Sequence, residues 1–145
     1  MLSQAEADAL LTAAKRFVSP RLIRLAPGAD ETHDLIGTHD GADETFLLDL
    51  WRGVKKVAKL KYQTRGRKVI VLARIDISGA PHTNPDGTGI DGTHLHVYRE
   101  SYDDRWAFPL DAQQFTDPAD PETALLDFCR FCNMVDTPTV QVPLA

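Results

Sequence analysis

Leu10, Ala13, Ala14 and Phe17 recur at helical period behind Ser3 and Glu6, which have the spacing of a capping box. The pattern predicts an N-terminal helix stopped by Pro20, with Lys15 and Arg16 at the negative end of its dipole. The period then changes to two. Leu22–Ala26 and Thr32–Gly37 read as short strands around a Pro-Gly turn, and Asp40-Gly41 marks the next turn. Thr45–Trp51, Lys55–Tyr62 and Lys68–Ile77 follow as an antiparallel meander joined by loops at Gly53 and Gly66. His94–Arg99 and Trp106–Leu110 read as two more strands. Pro121, at a first helical position, opens a helix that runs through Phe131 and ends near Asn133. The expected fold is a single α+β domain over residues 1–145. It has a strongly bent antiparallel sheet of six or seven strands, one N-terminal helix and one C-terminal helix.

Composition agrees with this and narrows the setting. A chain of 145 residues, 43% hydrophobic and 26% charged, can bury a core without disulfides or metal staples. MLSQAEADAL lacks the basic and apolar regions of a signal peptide, and no apolar run approaches the ~18 residues of a membrane span. A cytoplasmic protein with no membrane partner is expected. Cys129 and Cys132 fall late in the second helix on the face of Leu125 and Phe128, so they read as small buried hydrophobes rather than a redox pair.

Charge divides the chain unevenly. Arg52, Lys55, Lys56, Lys59, Lys61, Arg65, Arg67 and Lys68 occur with no acidic residue among them, while the remainder holds eight basic residues against 21 acidic. On a strand, period two puts Lys59 and Lys61 on one face, so these eight cations read as a nucleic-acid-binding strip or as lysine protection of a sheet edge.

The candidate chemistry follows the strip. A 15-residue loop, Ser78–Gly92, carries His82, and the next strand carries His94, His96, Tyr98 and Arg99. His94, His96 and Tyr98 share one face, with Leu95, Val97 and Arg99 on the other. His82, His94 and His96 with Asp86 or Asp91 have the donor types of a zinc site, but no fourth ligand is well placed, and no metal or other cofactor is expected. A bland account has the histidines stacked on tyrosines and bonded to carbonyls, with Asp76 only neutralising Arg74. A metal-independent cleavage of RNA would use a histidine as acid or base, with Tyr98, Arg99 and Arg74 assisting. Tyr62, Tyr102 or Trp106 would stack on a base.

PHTNPDG, THLHVYRE and WAFPL, with the opening MLSQAEAD, the strand FLLDLWRG and the helix LLDFCRFCN, resemble a family of small bacterial and phage proteins of uncharacterised function. Ser101 departs from that pattern, which has glycine in YREGY. The resemblance implies one domain and a mobile-element or toxin-like context; it assigns no activity. The leading expectation is a small toxin-type ribonuclease acting on RNA. The alternative is a non-enzymatic interaction module, such as a phage-derived inhibitor, that binds a cognate protein or nucleic acid through the same surface.

Overall fold

The computed structural model describes residues 1–19 and 22–144. Its first helix, α1 (Gln4–Thr12), is capped as expected, with Ser3 Oγ accepting from the Glu6 N–H at 3.1 Å. The helix ends well before the apolar period does, and the expected stop, Pro20, lies outside the described residues. Lys15 and Phe17 belong instead to a strand, β1 (Lys15–Phe17). Tertiary contacts account for the early break. Gly37 admits Ala14 O so closely that a Cβ there would lie 2.6 Å from it. The fully buried Lys15 ammonium donates to Leu11 O at 2.7 Å, Ala13 O at 3.0 Å and Cys132 O at 2.8 Å.

Lys15 thereby satisfies carbonyls at the C-terminal ends of both helices, where orphan acceptors and the dipole favour a cation. Burial lowers its pKa to about 8. The second helix, α2 (Pro121–Phe131), has the expected bounds. Asp120 accepts from the Thr123 N–H at 2.9 Å, and Asn133, at φ 55°, turns the chain out of the helix. Cys129 and Cys132 are buried free thiols, and burial pushes Cys129 up to about 12.

The remaining strands are β2 (Leu22–Arg24), β3 (Asp30–His39), β4 (Ala42–Arg52), β5 (Leu60–Gly66), β6 (Ile70–Ile77), β7 (His82–Thr83), β8 (Gly89–Ile90), β9 (His94–Val97), β10 (Ala107–Phe108) and β11 (Thr139–Gln141). Seven of them form one antiparallel sheet in the order β1-β3-β4-β5-β6-β9-β10. β2 pairs in parallel with β11, a partner that the extended tail did not announce, and β7 and β8 form a small ribbon. The protein is an α+β fold with a helix near each end of the chain. Among the described residues no helix is long and apolar enough to cross a membrane.

Several expected strands begin late or end early, for local reasons. Residues 53–59 close a turn in which the Gly53 N–H donates to Lys59 O at 2.9 Å and the Lys59 N–H to Lys56 O at 3.0 Å. β5 therefore starts at Leu60, and of the expected lysine row only Lys61 lies on the strand. Arg67 and Lys68, at φ 48° and 70°, make the β5–β6 hairpin turn in a conformation usually given to Asn-Gly, so composition does not mark it. Pairing between β5 and β6 skips Leu72, which is buried, and this breaks the strict alternation expected along β6.

Leu48, Leu50, Leu60, Tyr62, Ile75 and Leu95 form one core with Leu10 of α1 and Leu125 and Phe128 of α2. Tyr62 is fully buried, and its hydroxyl donates to Pro121 O at 3.0 Å, so the base-stacking role considered for it does not fit. The opposite face of the sheet is polar. Its cross-strand rows are Lys61, Asp76, His94 and, one step along, Gln63, Arg74, His96.

Candidate functional site

β9 presents His94 and His96 on that polar face, one residue to either side of buried Leu95. Both imidazoles are only 1% exposed, because the segments before and after β9 fold over them. The 78–92 loop is pinned at its stem and at its tip. Gly79 and Gly92 approach so closely that a Cβ on Gly92 would meet Gly79 O at 2.0 Å, and the Ser78 N–H donates to Thr93 Oγ1 at 3.0 Å. The Asn84-Pro85-Asp86-Gly87 turn forms as its composition predicts, with Gly87 at φ 89° and its N–H donating to Asn84 O at 2.8 Å. Buried Asn84 then bonds Ala107 twice, at 3.0 and 2.8 Å, which ties the ribbon to β10.

The result is that His82, His94 and His96 converge. Ring centroids are 4.7 Å apart for His82–His96, 4.8 Å for His94–His96 and 5.7 Å for His82–His94. They pack on one another rather than on tyrosines, and each anchors one nitrogen on a backbone carbonyl. His94 Nδ1 donates to Asp91 O, His96 Nδ1 to Asp104 O at 2.7 Å and His82 Nε2 to Arg105 O at 2.8 Å. A carbonyl only accepts, so each of these nitrogens carries the proton. In a neutral ring the other nitrogen, Nε2 of His94 and His96 and Nδ1 of His82, then offers a lone pair.

Asp76 sits across β6 from His94. Its Oδ2 is 3.3 Å from His94 Nε2 and 3.5 Å from His96 Nε2, and its Oδ1 accepts from Arg74 Nε at 3.0 Å. Arg74 also reaches Asp104 at 2.9 Å and donates to His96 Nε2 at 3.0 Å. Burial alone would push the Asp76 carboxyl up. With the His96 ring protonated, its hydrogen bond and charge, together with the charges of Arg74 and Lys61, outweigh it and hold the group down at about 2. Asp76 is the residue that sequence reasoning undervalued. Its alternation with Arg74 was visible, but its position opposite His94 depends on strand register.

A pocket of about 240 Å³ opens on this cluster, lined by Lys59, Lys61, Asp76, His82 and His94 among others. Lys59 and Lys61 also border a larger groove, about 520 Å³, over β4 and β5, with Trp51, Gln63 and Arg65 along it. Lys59 Nζ lies 5.7 Å from the centre of the Trp51 ring.

The other candidates are placed differently. Tyr98 is 3% exposed and its hydroxyl donates to Leu2 O at 2.7 Å, because β9 ends at Val97 and the side chain enters the core. Arg99 lies on the Trp106 ring at 4.4 Å. Arg52 is buried, donating to Leu25 O at 2.7 Å, Val57 O at 2.9 Å and Pro143 O at 3.1 Å. Arg65 pairs with Asp49 at 2.7 Å, and Arg67 with Glu6 and Glu44 at 3.4 and 3.3 Å. Lys55, Lys56 and Lys68 are exposed in turns. The eight cations therefore do not form one continuous strip; Lys59 and Lys61 are the two beside the histidines.

A family model for DUF6978, described as a family of unknown function, matches residues 2–134. The chain belongs to DUF6978. That span takes in both helices and every residue of the cluster. Neither the curated proteins nor the solved structures gave a match. Within the matched span, Ser101 has φ 73°, a left-handed conformation that glycine adopts freely, which explains why the resembled pattern has glycine there.

Proposed function

We propose that the protein binds RNA along the Trp51–Lys61 groove and cleaves it at the histidine pocket. The observation that supports this reading is the meeting of groove and pocket at Lys59 and Lys61, next to a histidine with a bare ring nitrogen. His82 Nδ1 takes the proton of a ribose 2′-hydroxyl, whose oxygen attacks the adjacent phosphorus. The two ammoniums stabilise the phosphorane charge, and one of them protonates the departing 5′-oxygen, leaving a 2′,3′-cyclic phosphate. This route needs no metal. Trp51 offers a face on which an unpaired base stacks.

The test is cleavage of single-stranded RNA with chelator present. His82→Ala is expected to lower the rate by about 100- to 10,000-fold with little loss of binding. Lys59→Glu with Lys61→Glu is expected to weaken binding and to reduce its salt slope by up to about two units. Binding without cleavage by the wild-type protein would leave the interaction module as the surviving reading.

A further inference from the structure

We infer that Asp76, His94 and His96 form a binding site for a divalent transition metal, with zinc the ion that fits best. The inference does not depend on RNA cleavage, because these three side chains are separate from the His82 base.

Four observations carry it. The three ligand atoms cluster within 4.8 Å of one another, two imidazoles and one carboxylate, and this is the donor set of a three-ligand site with a position left open. The two imidazoles present Nε2 with Nδ1–H fixed on the Asp91 and Asp104 carbonyls, which is how a protein orients metal-binding histidines. His94 Nε2 is buried and, among the described residues, has no hydrogen-bond partner, although it faces Asp76 Oδ2. A buried polar nitrogen without a hydrogen bond is costly unless something fills its site. Finally, the carboxylate stands at ligand spacing from both imidazoles. Ligands about 2.0–2.1 Å from a tetrahedral ion are about 3.3–3.4 Å apart, and Asp76 Oδ2 lies 3.3 and 3.5 Å from the two Nε2 atoms. The three atoms together span up to 4.8 Å, so the two imidazoles close towards each other on binding.

Arg74 is the competing group. Its terminal nitrogen donates to His96 Nε2, the lone pair a metal would use, and its charge repels a cation. Metal entry requires Arg74 Nη2 to give up both His96 Nε2 and, at 3.4 Å, Asp76 Oδ2, while the Arg74 bonds to Asp76 Oδ1 and Asp104 remain to hold the carboxylate in place. Arg74 thus sets the affinity from outside the ligand set. Asp76 and His94 also line the pocket with Lys61 and His82, so water or an oxygen of an anionic ligand can reach the site.

The experiment is calorimetric titration of chelator-stripped full-length protein with zinc, supported by elemental analysis and by the visible spectrum of the cobalt(II) form. About one equivalent is expected, with the intense absorption of a tetrahedral cobalt site. Asp76→Asn and His96→Ala are each expected to lower affinity by more than about 100-fold, beyond the usual cost of losing an outer partner. Arg74→Met is expected to raise it, an outcome that poor folding cannot imitate. Cys129→Ala should leave it unchanged, since that thiol is buried elsewhere. The inference is overturned if neither wild type nor Arg74→Met takes up zinc at millimolar concentration. It is equally overturned if folded Asp76→Asn and His96→Ala bind as wild type does. Zinc uptake without RNA cleavage would sink only the proposed reaction, and cleavage without zinc uptake only the metal site.

Discussion

Lys15 and the Arg74–Asp76–His94–His96 cluster are both ionisable groups withdrawn from water, and they are built in opposite ways. Around Lys15 the three ammonium hydrogens meet three carbonyl oxygens, and no capacity is left over. Around Asp76 the accounting does not close. Oδ2 faces the Nε2 atoms of two imidazoles at 3.3 and 3.5 Å, and that of His94 has no hydrogen-bond partner among the described residues. A saturated buried polar group holds a fold together. An unsaturated one, beside a pocket, is a place for a ligand.

Lys15→Ala is expected to have the largest effect. It would leave three carbonyls without their shared donor, at about 1–3 kcal/mol for each that stays dry. We expect a loss of at least about 3 kcal/mol in urea unfolding, with loosening of both helix ends in hydrogen exchange. A change below about 1 kcal/mol would show that water replaces the ammonium and that Lys15 does not hold the two helix ends together.

Acid titration probes the other cluster. The Asp76 carboxyl is held at about 2, below its unfolded value of about 3.9. The unfolded chain therefore binds the proton first. The stabilisation is complete above about pH 4 and is lost as pH falls through about 2; it amounts to roughly 2–3 kcal/mol. Asp76→Asn should remove this part of the acid sensitivity, measured as the difference in melting temperature between neutral pH and pH 3. An unchanged acid profile would mean that Asp76 is not the charged centre of the cluster.

Ser101→Gly should stabilise the protein by about 1 kcal/mol by relieving a left-handed backbone. This bears on the turn that carries Asp104, the residue holding both His96 and Arg74. The smallest effect expected is that of His94→Leu on stability, less than about 1 kcal/mol either way. The lost Nε2 has no partner, and the Asp91 carbonyl left behind belongs to an exposed residue. A large loss in that variant would put His94 in the same class as Lys15.

Much of this architecture is legible in the chain. Asp120-Pro121 and Asn133 bracket α2 because caps act over three or four residues, and the Asn84–Gly87 turn forms because its side chains and glycine act on their own backbone. The sharing of one face by His94 and His96 follows from the two-residue period alone. Tyr98 escaped that rule because β9 stops at Val97, and nothing local marks the stop. The lysine row of residues 55–61 failed for a similar reason: a closed turn at Gly53 replaced the strand that alternation assumes.

Local periodicity therefore determined which residues are helical, which alternate and which turn. The tertiary structure alone decided that Asp76 faces His94, that His82 returns to them across a 15-residue loop and that Lys15 is buried between two helix ends. The reason is physical. Capping, turn chemistry and side-chain period are properties of a few consecutive residues, whereas register joins strands far apart in sequence. A slip of one residue between β6 and β9 would have set Leu95, not His94, opposite Asp76.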